Sequence, residues 1–329
     1  MAFSIKELTG TAFLAFPEMK ELLLSELEER LNVDVSNVVH YGDLLYLPDY
    51  SLKDFDSSSL LKKIPYWAST AMLNPLKISF DSIGDAANAL RSIQRSWAPY
   101  QYNCFRRASL IQGKLPYVNL KERKFPFEFS FQPIGLYTLI DERTIIASAK
   151  TSSDLPAGRL EFTEDHENPP SRAYLKIQES LALAHHFFDV PFPKEGDRCF
   201  EAGACPGGWT YVLVSSGAEV LAVDRSPLAP SLMENPLVDF KAHDAFTLTP
   251  EELGEFDWVF SDVICYPERL LEWVKKWLDS KKTKKMICTI KMQGKINWSL
   301  VEEFASIPDS RIVHLNYNKH ELTFIHVEK

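Results

Sequence analysis

The run Phe200-Glu201-Ala202 leads into a turn, Gly203-Ala204-Cys205-Pro206-Gly207-Gly208, and Trp209 opens a helix-like segment behind it. Glycines between a strand and a helix let a ligand approach the backbone closely, and the amides left free decide which ligand fits. A dinucleotide fingerprint needs Gly-x-Gly-x-x-Gly, so that those amides meet a pyrophosphate. Here the spacing differs, and Pro206 removes one donor. A P-loop is excluded too, because Trp209 stands where the Lys of Gly-Lys-Ser/Thr would be. The turn therefore permits close approach without a strong phosphate cradle. That suits a nucleoside cofactor carrying an amino acid, which is S-adenosylmethionine. Asp224, 21 residues after Gly203 (203 to 224), ends the next apolar run, where a carboxylate can accept ribose hydroxyls. Asp244 in AHDAF is the corresponding candidate for the adenine amine. His185 and His186 are adjacent and poorly spaced for one ion, so no metal site is expected.

These residues need a scaffold that brings strand ends together. From RCFEAG onward the chain alternates strands (EVLAVD, VDFKAHDA, DWVFSDV, KMICTIK, RIVHLNY, LTFIHVE) with helices (WTYVLVSS, PERLLEWVKKWL, SLVEEFASI). Near-continuous apolar strands separated by helices predict a largely parallel α/β sheet covered on both faces. Ligands of such sheets lie beyond the carboxyl ends of the strands, a rule that selects Gly203, Asp224, Asp244, Asp262 and Lys291. The first half reads differently. GTAFLAF, the two runs around the Gly-Asp turn of VSNVVHYGDLLYL, PFEFSFQP and RTIIASAK read as strands. PEMKELLLSELEERL and SIGDAANALRSIQRSW read as amphipathic helices, giving an α+β arrangement. TSSDLPAGRLEFTEDHENPPSR is poor in apolar residues and reads as a linker, which sets the expected division at 1–165 and 166–329.

Composition narrows the function classes. With 45% hydrophobic and 25% charged residues, the chain reads as a globular protein, and no apolar run approaches the length of a membrane span. Five cysteines without a CxxC pair predict free thiols and hence a cytoplasmic location. A net charge of −9 argues against general nucleic-acid stickiness, but the charge is unevenly spread. Residues 91–124 hold eight basic residues (Arg91, Arg95, Arg106, Arg107, Lys114, Lys121, Arg123, Lys124) against one acid, Glu122. Trp97, Tyr100, Tyr102, Phe105 and Tyr117 are interleaved. Cations with flat rings suit single-stranded RNA; a solvated face with the aromatics turned inward would give the same pattern.

GACPGGWTYVL followed by AVDRSPLA resembles the Rossmann-like methyltransferases of the FtsJ type. More narrowly, it resembles the bacterial 23S ribosomal RNA ribose 2'-O-methyltransferases of the RlmM type. PSRAYLKIQES, GACPGGWTY, DWVFSDV, CTIKM and HELTFIHV occur in the family's order between Pro170 and Val327. The first half matches in outline only, resembling the family's THUMP-containing RNA-binding region. The resemblance implies S-adenosylmethionine held by Gly203, Cys205, Pro206, Gly207, Gly208, Trp209, Asp224, Asp244 and Asp262. It also implies a Lys-Asp-Lys-Glu tetrad at Lys176, Asp262, Lys291 and Glu321, and a 23S ribosomal RNA cytidine as substrate. Lys291 would be the base. A lysine accepts a proton only when neutral, and lowering its pKa from about 10.4 to near 7 costs about 4 kcal/mol. Lys176, burial and a sulfonium charge are expected to push Lys291 that way, with Asp262 and Glu321 opposing. Two departures from the family pattern stand out: Glu201-Ala202 replaces Asp-Leu before the turn, and MQGKINWSLVEE after Lys291 is less basic.

Other chemistries remain to be weighed against the structure. A 5-methylcytosine enzyme shares an Ala-Pro-Gly-Gly turn but needs a nucleophilic cysteine, for which Cys205 and Cys265 are the nearest candidates. An amino-methyltransferase would carry Asn/Asp-Pro-Pro-Tyr/Phe where Asp262 is followed by Val-Ile-Cys. A non-catalytic RNA-binding or assembly factor and a nicotinamide oxidoreductase complete the alternatives.

Overall fold

The computed structural model describes residues 3–52, 60, 62–129 and 132–328. The chain forms two compact units, one of residues 1–122 and 130–161, the other of residues 123–129 and 162–329. The sequence pattern keeps 1–165 together, whereas in the structure 123–129 packs with the second unit.

In the first unit, β1 (Phe3–Glu7), β6 (Leu76–Phe80), β7 (Trp97–Pro99), β8 (Gly135–Asp141) and β9 (Thr144–Ser148) form one sheet in the order β1-β6-β9-β8-β7. β2 (Thr11–Ala15), β3 (Val39–Tyr41), β4 (Leu44–Leu47) and β5 (Ala68–Met72) form a second, ordered β3-β4-β2-β5. Helix α1 (Lys20–Glu29) starts three residues after Pro17, and α2 (Ile83–Ile93) begins with a capping box between Ser82 and Asp85. A third helix, α3 (Phe105–Gln112), carries part of the basic stretch. This is the α+β arrangement the pattern predicts, with the five-stranded sheet and α2 and α3 sharing a core that includes Leu90, Trp97 and Tyr137.

PFEFSFQP is not a strand over its described residues; Ser130 and Phe131 lie outside the described residues. Proline lacks an amide for the ladder, and the aromatic rings here serve packing instead. Phe125 lies edge-on to Phe162 and Phe192 at 6.0 and 5.4 Å, and Phe129 meets His186 at 4.6 Å.

The second unit is built on seven strands: β10 (Arg198–Ala202), β11 (Glu219–Asp224), β12 (Val238–Ala242), β13 (Trp258–Ser261), β14 (Lys285–Lys291), β15 (Ser310–Val313) and β16 (Glu321–Val327). Their order is β12-β11-β10-β13-β14-β16-β15. Strands β10 to β14 run parallel, and β16 runs antiparallel to both of its neighbours. Strand order reverses at β10, which lies between β11 and β13, and that is the place where α/β sheets bind ligands. All seven residues of β16 and the middle five of β14 are buried, as expected of strands covered on both faces. The covering helices include α4 (Tyr174–Phe188), α5 (Gly208–Ser215), α6 (Pro267–Ser280) and α7 (Trp298–Ala305). Leu270, Trp273, Val274 and Trp277 form the buried stripe of α6 at helical spacing. Reversal of β16 has a specific result: its first residue lies at the same edge as the last residues of the parallel strands. Glu321 is paired with Lys291 across the ladder.

Candidate active site

Four charged side chains that are far apart in the chain meet at that edge. Lys291 Nζ donates to Asp262 Oδ1 at 2.6 Å and to Glu321 Oε2 at 2.8 Å. Lys176, on the first turn of α4, pairs with the other Glu321 oxygen and lies 3.9 Å from Asp262 Oδ2. Two ammonium groups and two carboxylates thus form a closed, formally neutral cluster. All four side chains are largely withdrawn from solvent. Removing one member of such a group strands a buried charge, which costs about 3–5 kcal/mol.

The cluster corrects one expectation. Burial pulls the Lys291 pKa down, but the carboxylates of Asp262 and Glu321, as charges and as hydrogen-bond acceptors, outweigh it. The balance holds Lys291 above the ordinary lysine value, not near neutrality, so this lysine is an ammonium at rest. Glu321 is the mirror case. Burial raises it, and Lys176 and Lys291 together bring it below the usual carboxylate range.

The glycine turn is built for close packing. Gly203 and Gly207 have φ of +77° and +111°, and a Cβ on Gly203 would fall 2.7 Å from Val263 Cγ2. Asp224 Oδ2 accepts the Cys205 amide at 3.0 Å, and Oδ1 accepts the Ser226 amide at 3.0 Å. Each oxygen keeps a lone pair, so the carboxylate can still take hydroxyl donors such as those of a ribose. Pro206 and Gly208 complete the turn, and Gly208 leaves no room for a side chain beside Ser171 and Tyr174. The donor set therefore fits a nucleoside without phosphates.

Two of the expected cofactor contacts are engaged within the protein. Trp209 is buried, with its ring edge-on to Phe260 at 6.2 Å, and holds α5 on the sheet. Asp244 caps the turn after β12 through the Phe246 amide and binds Arg225 at 2.6 Å and Arg269 at 3.3 Å. Burial raises its pKa, but those partners outweigh burial and keep it low.

Glu201 lies fully inside. It accepts the Thr210 hydroxyl at 2.6 Å, and burial, aided by Asp262 and Asp224, pushes its pKa up to about 8. The thiols are not activated either. Burial raises Cys205 and pushes Cys265 up to about 11, so neither rests as the thiolate that a 5-methylcytosine enzyme uses as its nucleophile.

Glu179 is a member of the site that the motifs alone do not reveal. It follows Lys176 by one helical turn on α4, is buried, and accepts the amides of Asn316 at 2.8 Å and Tyr317 at 3.3 Å. It thus ties the helix carrying Lys176 to the loop that leads into Glu321. Its sequence signal is weak: an acid that directly precedes the mostly apolar run SLALA.

The basic and aromatic stretch divides between the two alternatives. Trp97 is core, and Arg107 is turned inward over the Phe80 ring at 5.6 Å. Phe105 and Tyr117 are 58% and 81% exposed, with Arg106, Lys114 and Lys121 exposed beside them in the sequence.

Comparison with known proteins bears on this geometry. Residues 169–301 match the FtsJ-like methyltransferase family. The matched segment holds Lys176, Asp262 and Lys291 and ends before Glu321. A protein of Aggregatibacter aphrophilus named ribosomal RNA large subunit methyltransferase M is 34% identical over 146 residues, 44% of this chain and 40% of that one. Its namesake from Halorhodospira halophila is 35% identical over 125 residues, 38% of this chain and 36% of that one. The similarity thus spans about two fifths of the length of these relatives. A solved structure of Aeropyrum pernix fibrillarin with bound S-adenosyl-L-methionine aligns with a TM-score of 0.34 at 14% identity, covering 58% of this chain and 81% of that one.

Replacing Glu179 by alanine unpairs buried backbone amides and is expected to cost about 2–4 kcal/mol in denaturant unfolding. Glu179→Gln should recover part of that loss; an alanine variant as stable as the parent would remove Glu179 from the framework. Glu201 gives a pH signature. A folded state that holds this proton longer than the unfolded chain loses stability as pH rises from 4.5 towards about 8. Glu201→Gln should flatten the fall in thermal midpoint over that window, whereas an unchanged slope would mean that Glu201 ionises freely.

Proposed function

We propose that this protein is an S-adenosylmethionine-dependent RNA ribose 2'-O-methyltransferase acting on a cytidine of 23S ribosomal RNA in the cytoplasm. The observation that carries the reading is the convergence of Lys176, Asp262, Lys291 and Glu321 at the sheet edge that also holds the glycine turn. The names of the relatives support ribosomal RNA as the substrate. Among the described residues, no helix is long and apolar enough to cross a membrane.

Gly203, Cys205, Pro206, Gly207 and Gly208 would hold the cofactor, with Asp224 on its ribose. Asp244 would border the adenine from its arginine-clamped position, and Asp262 would lie between cofactor and substrate. S-adenosylmethionine held by these residues would supply an activated methyl group on a sulfonium. The protein must then align a sugar hydroxyl and receive its proton. Lys291 is the proton acceptor in this reading, and Asp262 and Glu321 orient its amine. Because those carboxylates hold the proton on Lys291 at rest, the reactive neutral form is a minor species that grows tenfold per pH unit. Lys176 keeps Glu321 ionised and adds a positive charge that opposes protonation of Lys291. In the first unit, the exposed ring-and-cation surface around Phe105, Arg106 and Tyr117 would grip RNA.

The test transfers labelled methyl groups to ribosomal RNA from cells lacking this modification, with mass mapping to distinguish sugar from base. Lys291→Ala is expected to abolish transfer while cofactor affinity stays within a few fold. The rate of the parent protein should climb steadily through the alkaline range. A plateau at neutral pH, or turnover preserved in Lys291→Ala, would exclude this lysine as the base.

A further inference from the structure

Among the described residues of the second unit, Ile264 and Tyr266 are the two most exposed large apolar side chains, at 83% and 67%. Single apolar residues on a surface need no explanation, but these two occupy the loop that leaves Asp262. Two residue steps place the Ile264 backbone within about 7 Å of Asp262, and four place Tyr266 within about 14 Å. The loop is pinned, not slack. Val263 packs where a Gly203 side chain would be, Cys265 is buried between the two exposed residues, and Pro267 begins α6. Tyr266 also walls a cleft with Met292, Lys295 and Ile296, from the segment that follows Lys291. A flat ring, an aliphatic wedge and a cation are therefore held next to the reaction centre by two loops that each begin at a tetrad residue.

Resting on the function proposed above, we propose that Ile264 and Tyr266 receive an unstacked base of single-stranded RNA beside the ribose that is methylated. Tyr266 stacks on the base, and Ile264 fills the space its neighbour leaves. The occupant follows from position. A sugar hydroxyl within reach of Lys291 carries its own base and lies one linkage from the next, which brings a base within reach of this loop. Both side chains are uncharged, which suits contact with any base face without preference for one.

The experiment compares the full-length parent with Tyr266→Ala, Ile264→Ser and Tyr266→Phe. It uses methyl transfer to ribosomal RNA lacking the modification, and binding of a fluorescein-labelled unstructured oligoribonucleotide. Tyr266→Ala should weaken RNA binding and raise KM about five- to a hundredfold, the range for losing one stacked base. Ile264→Ser should act in the same direction but less strongly. Tyr266→Phe should restore what alanine loses, and cofactor affinity should stay within a few fold throughout. Active parent protein with an unmoved KM in Tyr266→Ala would overturn the stacking site and leave the methyltransferase reading intact. A shift in oligomeric mass with unchanged RNA binding would overturn it as well, by making the loop a protein contact. A parent that transfers no methyl to RNA would sink both.

Discussion

Everything at the reaction centre depends on the register between β14 and β16. A strand has a period of two, so sliding the last strand by one residue would turn Glu321 to the opposite face and leave Lys291 with one carboxylate. That register is secured by burial. Seven consecutive buried residues in β16 pair without a break in register with a nearly continuous apolar β14. The antiparallel direction is equally necessary, because a parallel β16 would carry its first residue to the far end of the sheet. A single inverted strand thus places an acid from late in the chain beside a lysine some thirty residues earlier.

The same cluster sets a conflict between stability and chemistry. Four buried charges are tolerable because they balance, and each carboxylate oxygen finds an ammonium group. The balance that stabilises the resting fold also keeps Lys291 protonated. Ion pairing that holds an amine in place cannot at the same time leave it unprotonated. An incoming positive charge is the natural way to shift that balance, because it repels the ammonium proton without touching the fold.

Much of this is legible in the chain, and the limits are physical. The strand–helix alternation of the second half marks every strand of the seven-stranded sheet, most plainly the buried parallel strands, which are strongly apolar. The tetrad comes from a resemblance, not from periodicity: nothing in the spacing of Lys176 and Glu321 reveals that α4 and β16 are neighbours. The charge state of Lys291 escapes the sequence because opposing effects can be named there only without distances, and contacts of 2.6 and 2.8 Å decide the sum. Trp209 resembles a ligand contact because it follows the glycine turn; on a helix, the next side chain can point into the core. PFEFSFQP alternates like a strand, yet its Phe129 ring packs on His186 and Phe127 instead of standing over a ladder.

The seven residues 123–129 have a practical consequence for dissecting this molecule. They are flanked on both sides by chain belonging to the other unit, so the peptide passes between units at three places. No single protease cut releases either half. A fragment beginning at residue 162 would leave vacant the slot that Phe125 fills against Phe162 and Phe192, exposing aromatic surface that invites self-association. Anyone wishing to isolate the second unit should graft this short peptide back on.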